Sequence, residues 1–421
     1  MLWSSMPLSK QRPIALVSLA LLLYWSSLYV YVPILPVYAR ALGASLTLVG
    51  LIVGSYGLAQ LVLRIPIGVT SDRLARRRPF AVAGFAAAVL SGVSLMLAPS
   101  AEWLLLGRTL AGVSAATWVV ISVIFAGYFP AAETTRAMGL ASFLSGAGQL
   151  LATSAGGKIA EQYGWQAPFL AGAVLALAGG MVMLAIPDAE VRRVAAPGWS
   201  AILRVGTRPQ LILISLTAAL GQYTFWATSY AFVPVYASGL GYSPAQIGLL
   251  TTAMLVAYTA ASLGLIRITR FAGDRAIVCL GLALAALSPL VTPFVTGYGP
   301  LLVVQALGGF GRGMAFPSLM GASLRAVTPQ ERGTAMGVYQ AVYALGMTLG
   351  PATAGVIADR LGVSGALWIS GLATLAGTLL AAHALAAGPQ RAVEEPVPHG
   401  GLGEEQPHAP AAGAPSRPAQ S

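Results

Sequence analysis

Twelve stretches of about twenty predominantly apolar residues follow one another along this chain, and they decide what it can fold into. A bilayer core about 30 Å thick needs roughly 20 apolar residues per helix. Runs of that kind lie near 14–38, 46–69, 79–98, 103–128, 136–160 and 166–186, then near 210–236, 244–266, 276–296, 300–325, 332–358 and 364–386. They are built of Leu, Ala, Val and Gly without period-2 alternation, so they predict helices and not barrel strands. Composition agrees. The 421 residues are 57% hydrophobic and only 9% charged, where a soluble domain carries about 25% charged residues. The first run follows Lys10 and Arg12 as a signal peptide would. It is too long for one and eleven more follow, so it reads as a retained helix. The fold class is therefore an all-α integral membrane protein with 12 transmembrane helices.

The charge balance excludes some functions. A formal net charge of +11 would suit nucleic acid only on a hydrated basic surface, and a mean hydropathy of +0.76 leaves little of that. One cysteine rules out a disulfide scaffold and a multi-cysteine metal cluster. The basic residues instead report orientation. Eighteen Lys and Arg fall on the side of the two termini, only Arg40, Lys158 and Arg360 on the opposite side, and Arg64, Arg108 and Arg312 inside spans. That asymmetry places both termini and the central linker in the cytoplasm.

The two halves are copies. Pro36-Val37-Tyr38-Ala39 recurs as Pro234-Val235-Tyr236-Ala237, and the same offset of 198 relates Leu42-Gly43 to Leu240-Gly241 and Gly50-Leu51 to Gly248-Leu249. It still holds far downstream, where Ala137-Met138-Gly139 matches Ala335-Met336-Gly337 and Glu161 matches Asp359. Two six-helix pseudo-symmetric halves, 1–186 and 210–387, are thus expected about a basic cytoplasmic linker (187–209, with Arg192, Arg193, Arg204 and Arg208), followed by a Pro-, Ala-, Gly- and Glu-rich disordered tail (388–421). Parallel repeats of this kind place a substrate pathway between the halves.

Between spans 2 and 3 the chain reads Gly68-Val69-Thr70-Ser71-Asp72-Arg73-Leu74-Ala75-Arg76-Arg77-Arg78. This resembles the signature loop G-x-x-x-D-R-x-G-R-R of the major facilitator superfamily, with Ala75 in place of the second Gly. The resemblance, strongest to the drug:proton antiporter branch, covers about residues 10–387. Gly68 would let a neighbouring helix approach, and Asp72 on the same face would meet the positive N-terminus of a helix from the other half. With Arg73, Arg76, Arg77 and Arg78 it would latch the cytoplasmic side and stabilise an outward-open state. Topology alone also collects Arg in such loops. The corresponding loop of the second half keeps only Arg270, Gly273, Asp274 and Arg275.

Arg108 and Gly112 in span 4 resemble the family's R-x-x-x-G element, which implies a cavity-side charge in proton or substrate coupling; an Arg snorkelling to the outer interface is the alternative. Its counterpart in span 10 is Gln305, and Gln305, Gly309, Arg312 and Phe316 share one helical face. That face makes Arg312 a candidate substrate contact, with structural salt-bridging as the alternative. Arg64 reads as latch support or snorkelling. Trp25, Tyr29, Gln222, Tyr223, Trp226 and Tyr230 would form an aromatic wall or serve as packing and interface anchors, and Trp118 is a weaker member. Gly350-Pro351 and Gly355 in span 11, with Gly156 and Gly157 in span 5, suit close helix packing and gating. The family branch typically has Gly-Pro in span 5, where this chain has Ala152-Thr153. Cys279 and His383 read as filler.

None of the 13 acids lies in the middle of a span. The buried charges are arginines, which suit carboxylate or phosphate groups, so an anionic or neutral substrate fits better than a lipophilic cation. Coupling would run through Glu102 or through the substrate's own ionisable group. No GK[ST] phosphate loop, metal cluster or Ser/His/Asp set occurs, so no enzyme, catalytic residue, metal or cofactor is expected. The expectation is a monomeric secondary transporter of small organic molecules working by alternating access, in efflux, with the lipid bilayer as surroundings, protons as a candidate coupling ion and no nucleic acid. Import of an organic anion, or a transport-inactive scaffold or sensor with the same fold, are the alternatives. The orientation is testable in a Cys279→Ser background. A cysteine at Ala195 is expected to react with an impermeant maleimide only in inside-out vesicles, and one at Gln162 only in right-side-out vesicles; the reverse pattern would invert the topology.

Overall fold

The computed structural model describes residues 8–74, 76–129, 133–186, 199–269, 272–328 and 331–386. The first crossing joins α1 (Leu8–Tyr29) and α2 (Leu35–Ala41); then come α3 (Leu46–Arg73), α4 (Arg78–Met96), α5 (Trp103–Ala116) continued by α6 (Trp118–Gly127), α7 (Thr134–Tyr163) and α8 (Ala167–Leu184). After the short α9 (Trp199–Gly206), the second set starts with α10 (Pro209–Ala227), a π-helical turn (Thr228–Phe232) and α11 (Val233–Gly239). It continues with α12 (Pro244–Ile268), α13 (Asp274–Val291), α14 (Tyr298–Arg325) and α15 (Arg332–Ala384). Among the described residues, nine helices are long and apolar enough to cross a membrane. One of them, α15, folds into two crossings at Gly362, and α7 and α14, of 30 and 28 residues, complete the twelve. The tail (388–421) and residues 187–198 of the linker lie outside the described residues. Within the rest of the linker, Trp199–Gly206 form α9.

The duplication seen in the sequence is written into the backbone. Among the described residues, four glycines have positive φ, Gly43 (+86°), Gly164 (+89°), Gly241 (+85°) and Gly362 (+75°), and they form two pairs at the 198-residue offset. At Gly362 this left-handed geometry, open to Gly at no steric cost, is what turns the chain between the eleventh and twelfth crossings. The same offset relates the non-helical turn at 30–34, after Tyr29, to the π-turn at Thr228–Phe232. In each half a proline a few residues on, Pro36 or Pro234, cannot continue the preceding ladder, and the first half has another, Pro33, inside its turn. Ser45 and Ser243, again equivalent, cap α3 and α12 by accepting from the amides of Leu48 and Gln246.

Contacts between the two sets gather at the end of the bundle opposite the termini. There α3 packs on α15 and α7 on α12 with small residues at the crossing points. A Cβ on Gly50 would land on the Pro351 carbonyl, and one on Gly157 on the Pro244 carbonyl. The helices touch backbone to backbone, the approach only glycine allows. Two acids finish the seal. The Asp359 carboxylate accepts from the backbone amides of Leu46 (2.9 Å) and Thr47 (2.8 Å), so it caps the N-terminus of α3 across the halves. Its repeat equivalent Glu161 accepts from the Ser243 hydroxyl at 3.3 Å, at the N-cap of α12. Charge-assisted bonds are worth roughly 1.5–3 kcal/mol when shielded and less when exposed, as here. Asp359→Asn is therefore expected to raise the population with this end open by about fivefold. Distance distributions between spin labels at Pro99 and Thr296 measure it; an unchanged distribution would remove Asp359 from the seal.

Candidate functional site

Between the two sets lies a cavity of about 340 Å³, reached by residues of α1, α3, α6, α7, α10, α12, α14 and α15. Its walls come from the breaks in the helices as much as from the helices. Tyr29 ends α1 where the chain leaves helical geometry, and Tyr230 sits in the π-turn that replaces it in the second half; their rings meet edge to face at 5.9 Å. Trp226 stacks on Tyr56 at 5.2 Å, and Trp25 meets Trp118 at 5.3 Å. Trp25, Tyr29, Gln222, Trp226 and Tyr230 line the cavity, and so does Trp118.

Two of the three arginines inside spans face this cavity. Arg64 donates through Nη2 to the Gln60 side-chain oxygen (2.6 Å) and through Nη1 to Gln340 (3.0 Å) and to the Tyr343 hydroxyl (3.4 Å). It thus bridges α3 and α15, joining the halves instead of snorkelling. Arg312 donates to the Gln222 side-chain oxygen at 3.1 Å. Its guanidinium stacks on Phe225, with the Tyr258 and Phe316 rings at 5.7 and 5.6 Å. Behind it, inside the second half, is a pocket of about 40 Å³ that Gln305, Thr224, Thr228 and Ser288 share with Arg312. The partners of both arginines are neutral, and Arg64 Nε and Arg312 Nη1 are buried without any.

Arg108 is placed differently. It is 1% exposed and does not line the cavity; it lies one layer back, over the Tyr56 ring at 4.2 Å, with Tyr31 at 6.0 Å. Its Nε and Nη1 have no partner, and its burial leaves no route to the outer interface. Gly112 makes the layering possible, since a Cβ there would meet the backbone of Tyr56. Gln305 is likewise set back, donating to the Thr292 hydroxyl at 3.1 Å. Gly309 packs on Met254 as Gly112 packs on Tyr56, which makes Gln305 the structural counterpart of Arg108. Tyr223 turns away from the cavity to bond Thr353 at 2.8 Å. Gly350 packs on the Tyr223 carbonyl, Gly355 on Leu46, and Gly156 on Val30.

In the last turn of α3, Asp72 does not reach a helix of the other half. Arg77 of the following loop donates to it at 2.6 Å, and a Cβ added at Gly68 would meet only Val119, at 3.8 Å. Arg73 and Arg76 are exposed, and Arg77 and Arg78 half-buried. The cross-half contact anticipated from the motif is not formed in this structure, in which the opposite end is sealed. In the second half Asp274 pairs with Arg325, while Arg270 lies outside the described residues. Glu102 is exposed at the start of α5, and the Ser100 hydroxyl and its own amide hold its carboxyl below the usual range. It stays ionised near neutrality and is poorly suited to carry a proton there. Sequence reading passed over Tyr56 and Gln60, although Tyr56, Gln60 and Arg64 recur at i, i+4 and i+8 and share a face of α3. Gln340 and Tyr343 carry the matching i, i+3 signal on α15.

A twelve-crossing repeated bundle, sealed at one end around a cavity shared by its halves, defines a membrane transporter. The chain belongs to the Major Facilitator Superfamily, whose family model matches residues 17–243 and again 214–418. It is 26% identical over 373 residues to the inner membrane transport protein YajR of Escherichia coli K12, covering 86% of this chain and 78% of that one. It is 28% identical over 359 residues to the multi-drug resistance efflux pump PmrA homolog of Lactococcus lactis, covering 81% and 87%. The fold matches a bacterial homolog of the human lysosomal transporter Spinster in an inward-facing, unoccupied conformation, with a TM-score of 0.71, 16% identity and coverage of 91% and 96%. The protein is a transporter and not an enzyme.

The setting of Arg108 yields a prediction. A buried guanidinium with orphaned nitrogens is a desolvation cost, and its stacking on Tyr56 recovers about 1–2 kcal/mol. Arg108→Met is expected to keep the melting temperature at or above that of the wild type while transport falls about tenfold, the size of one lost charged contact. A melting temperature more than about 5 °C lower would make Arg108 a structural cation instead.

Proposed function

We propose that this secondary transporter exports small organic molecules by alternating access, with the shared cavity as the substrate site and the termini in the cytoplasm. The observation that carries the reading is the cavity itself. It is walled by aromatic rings from both halves, with one polar group cluster around Gln222 and Arg312, the mix of apolar wall and few directing groups typical of small-molecule sites. The efflux pump name borne by the Lactococcus relative favours export over import. On the basic-residue count, the sealed end faces outward, and the present conformation is inward-facing. On switching, the Asp359 and Glu161 caps release, and Asp72 exchanges Arg77 for the N-terminus of α15, which begins at Arg332. The two ends of α3 would then be held by acids in alternation, Asp359 in one state and Asp72 in the other.

A second reading, import of an organic anion, is favoured by the two cavity arginines and their neutral partners. Proteoliposome flux of organic acids, sugars and antibiotics under an imposed pH gradient separates the directions, and a folded protein that moves nothing across such a panel would favour the inactive scaffold. For the latch, Asp72→Asn is expected to slow turnover by about tenfold, the effect of losing one charge-assisted contact, while ligand affinity in the inward-facing state is unchanged. Unchanged turnover would dissociate Asp72 from switching.

A further inference from the structure

Charge accounting inside the bundle leads beyond that reading, on which it rests. The seven acids among the described residues all lie at helix ends or in loops: Asp72, Glu102, Glu133, Glu161, Asp274, Glu331 and Asp359. The interior of the described bundle therefore holds arginines with no carboxylate to neutralise them. Arg64 and Arg312 share one cavity, each is hydrogen-bonded only to amides or a phenol, and each keeps a buried N–H without a partner. A guanidinium held by neutral dipoles alone leaves much of its desolvation uncompensated.

We infer that the counter-charge is supplied by the cargo: the cavity takes an amphipathic monoanion whose acidic head meets Arg312 and whose flat body lies against Phe225 and Trp226, and transport runs as anion-for-anion exchange. The second part follows from the first. While the cavity is open, water solvates the guanidinium. To change sides the transporter must close around it and exclude water, and an unneutralised Arg312 resists that step. A bound anion removes the resistance. No protein carboxylate in the described interior can substitute, and no interior acid is there to exchange a proton for the cargo. The loaded carrier thus reorients faster than the empty one.

A matched pair of probes tests this in the full-length protein. Benzenesulfonate keeps its charge at any working pH and does not cross lipid as a neutral acid; phenyltrimethylammonium has nearly the same size and the opposite charge. Benzenesulfonate is expected to raise the melting temperature, and phenyltrimethylammonium to leave it alone. In proteoliposomes with the membrane potential clamped, uptake of labelled benzenesulfonate into vesicles preloaded with the unlabelled anion should run about tenfold faster than into empty ones, the equivalent of one charged contact, with no response to a pH gradient. Arg312→Gln should abolish both the stabilisation and the exchange, and Arg312→Lys, which keeps the charge, should retain part of each. Equal rates into loaded and empty vesicles, uptake driven by the pH gradient, or stabilisation that survives Arg312→Gln would each overturn the proposal. Movement of phenyltrimethylammonium instead would overturn it while leaving export intact. If neither probe binds or moves, the anion assignment falls, and the wider flux panel judges the transporter reading separately.

Discussion

Inside a bilayer no water is available to the peptide group, so each segment must satisfy its own backbone, and helices are the result. Everything else here is a consequence of how such helices can touch. Without a hydrophobic drive between them, they associate where small side chains let the backbones come close. Gly50 against Pro351 and Gly157 against Pro244 are those places. They occur on the two helix pairs, α3 with α15 and α7 with α12, that join the halves. The cavity exists because the same pairs diverge toward the other end, where Gly139, Gly146, Gly333 and Gly337 have no neighbour within reach of an added Cβ.

Much of this was legible in the residues. The twelve crossings, the two halves and the family all follow from apolar run length, a constant offset and one loop motif. The glycine pairs even carry the same left-handed geometry as one another. The depth of individual side chains was harder to read. Helical periodicity tells which face a residue is on, but not whether another ring stands in front of it. Arg108 was read as a cavity charge, and Tyr56, from a neighbouring helix, occupies the position between it and the space. Tyr223 shares the helix of Gln222 and Trp226, and one position of rotation takes it to α15 instead. The partner of Asp72 was not legible either, because the spacing of the loop motif does not show whether Arg77 or a helix of the other half comes nearer.

Acidic residues are few, and their placement divides labour with the arginines. Acids sit at helix ends, where a carboxylate can meet the free amides of a first turn, as Asp359 does. Three arginines, Arg64, Arg108 and Arg312, sit within the spans, where only a neutral dipole or a visiting group can answer them. Glu331 shows the structural use of the first arrangement. The Thr328 hydroxyl and amide, then Arg208, hold its carboxyl below the usual range, tying the starts of α10 and α15 together. With the folded value depressed, that contribution is present above the unfolded pKa and fades as the pH falls through the folded one.

The π-turn at Thr228–Phe232 has a further consequence. A π-turn accommodates one more residue than an α-turn over the same hydrogen-bonded span, so the seventh crossing carries a residue of spare length at the depth of the cavity. The first crossing spends the equivalent residues on an open turn at 30–34 and has no such reserve. The two halves are therefore alike in architecture and unequal at this turn. In the second the helical path continues through it, and Tyr230 stands on that path as part of the cavity wall.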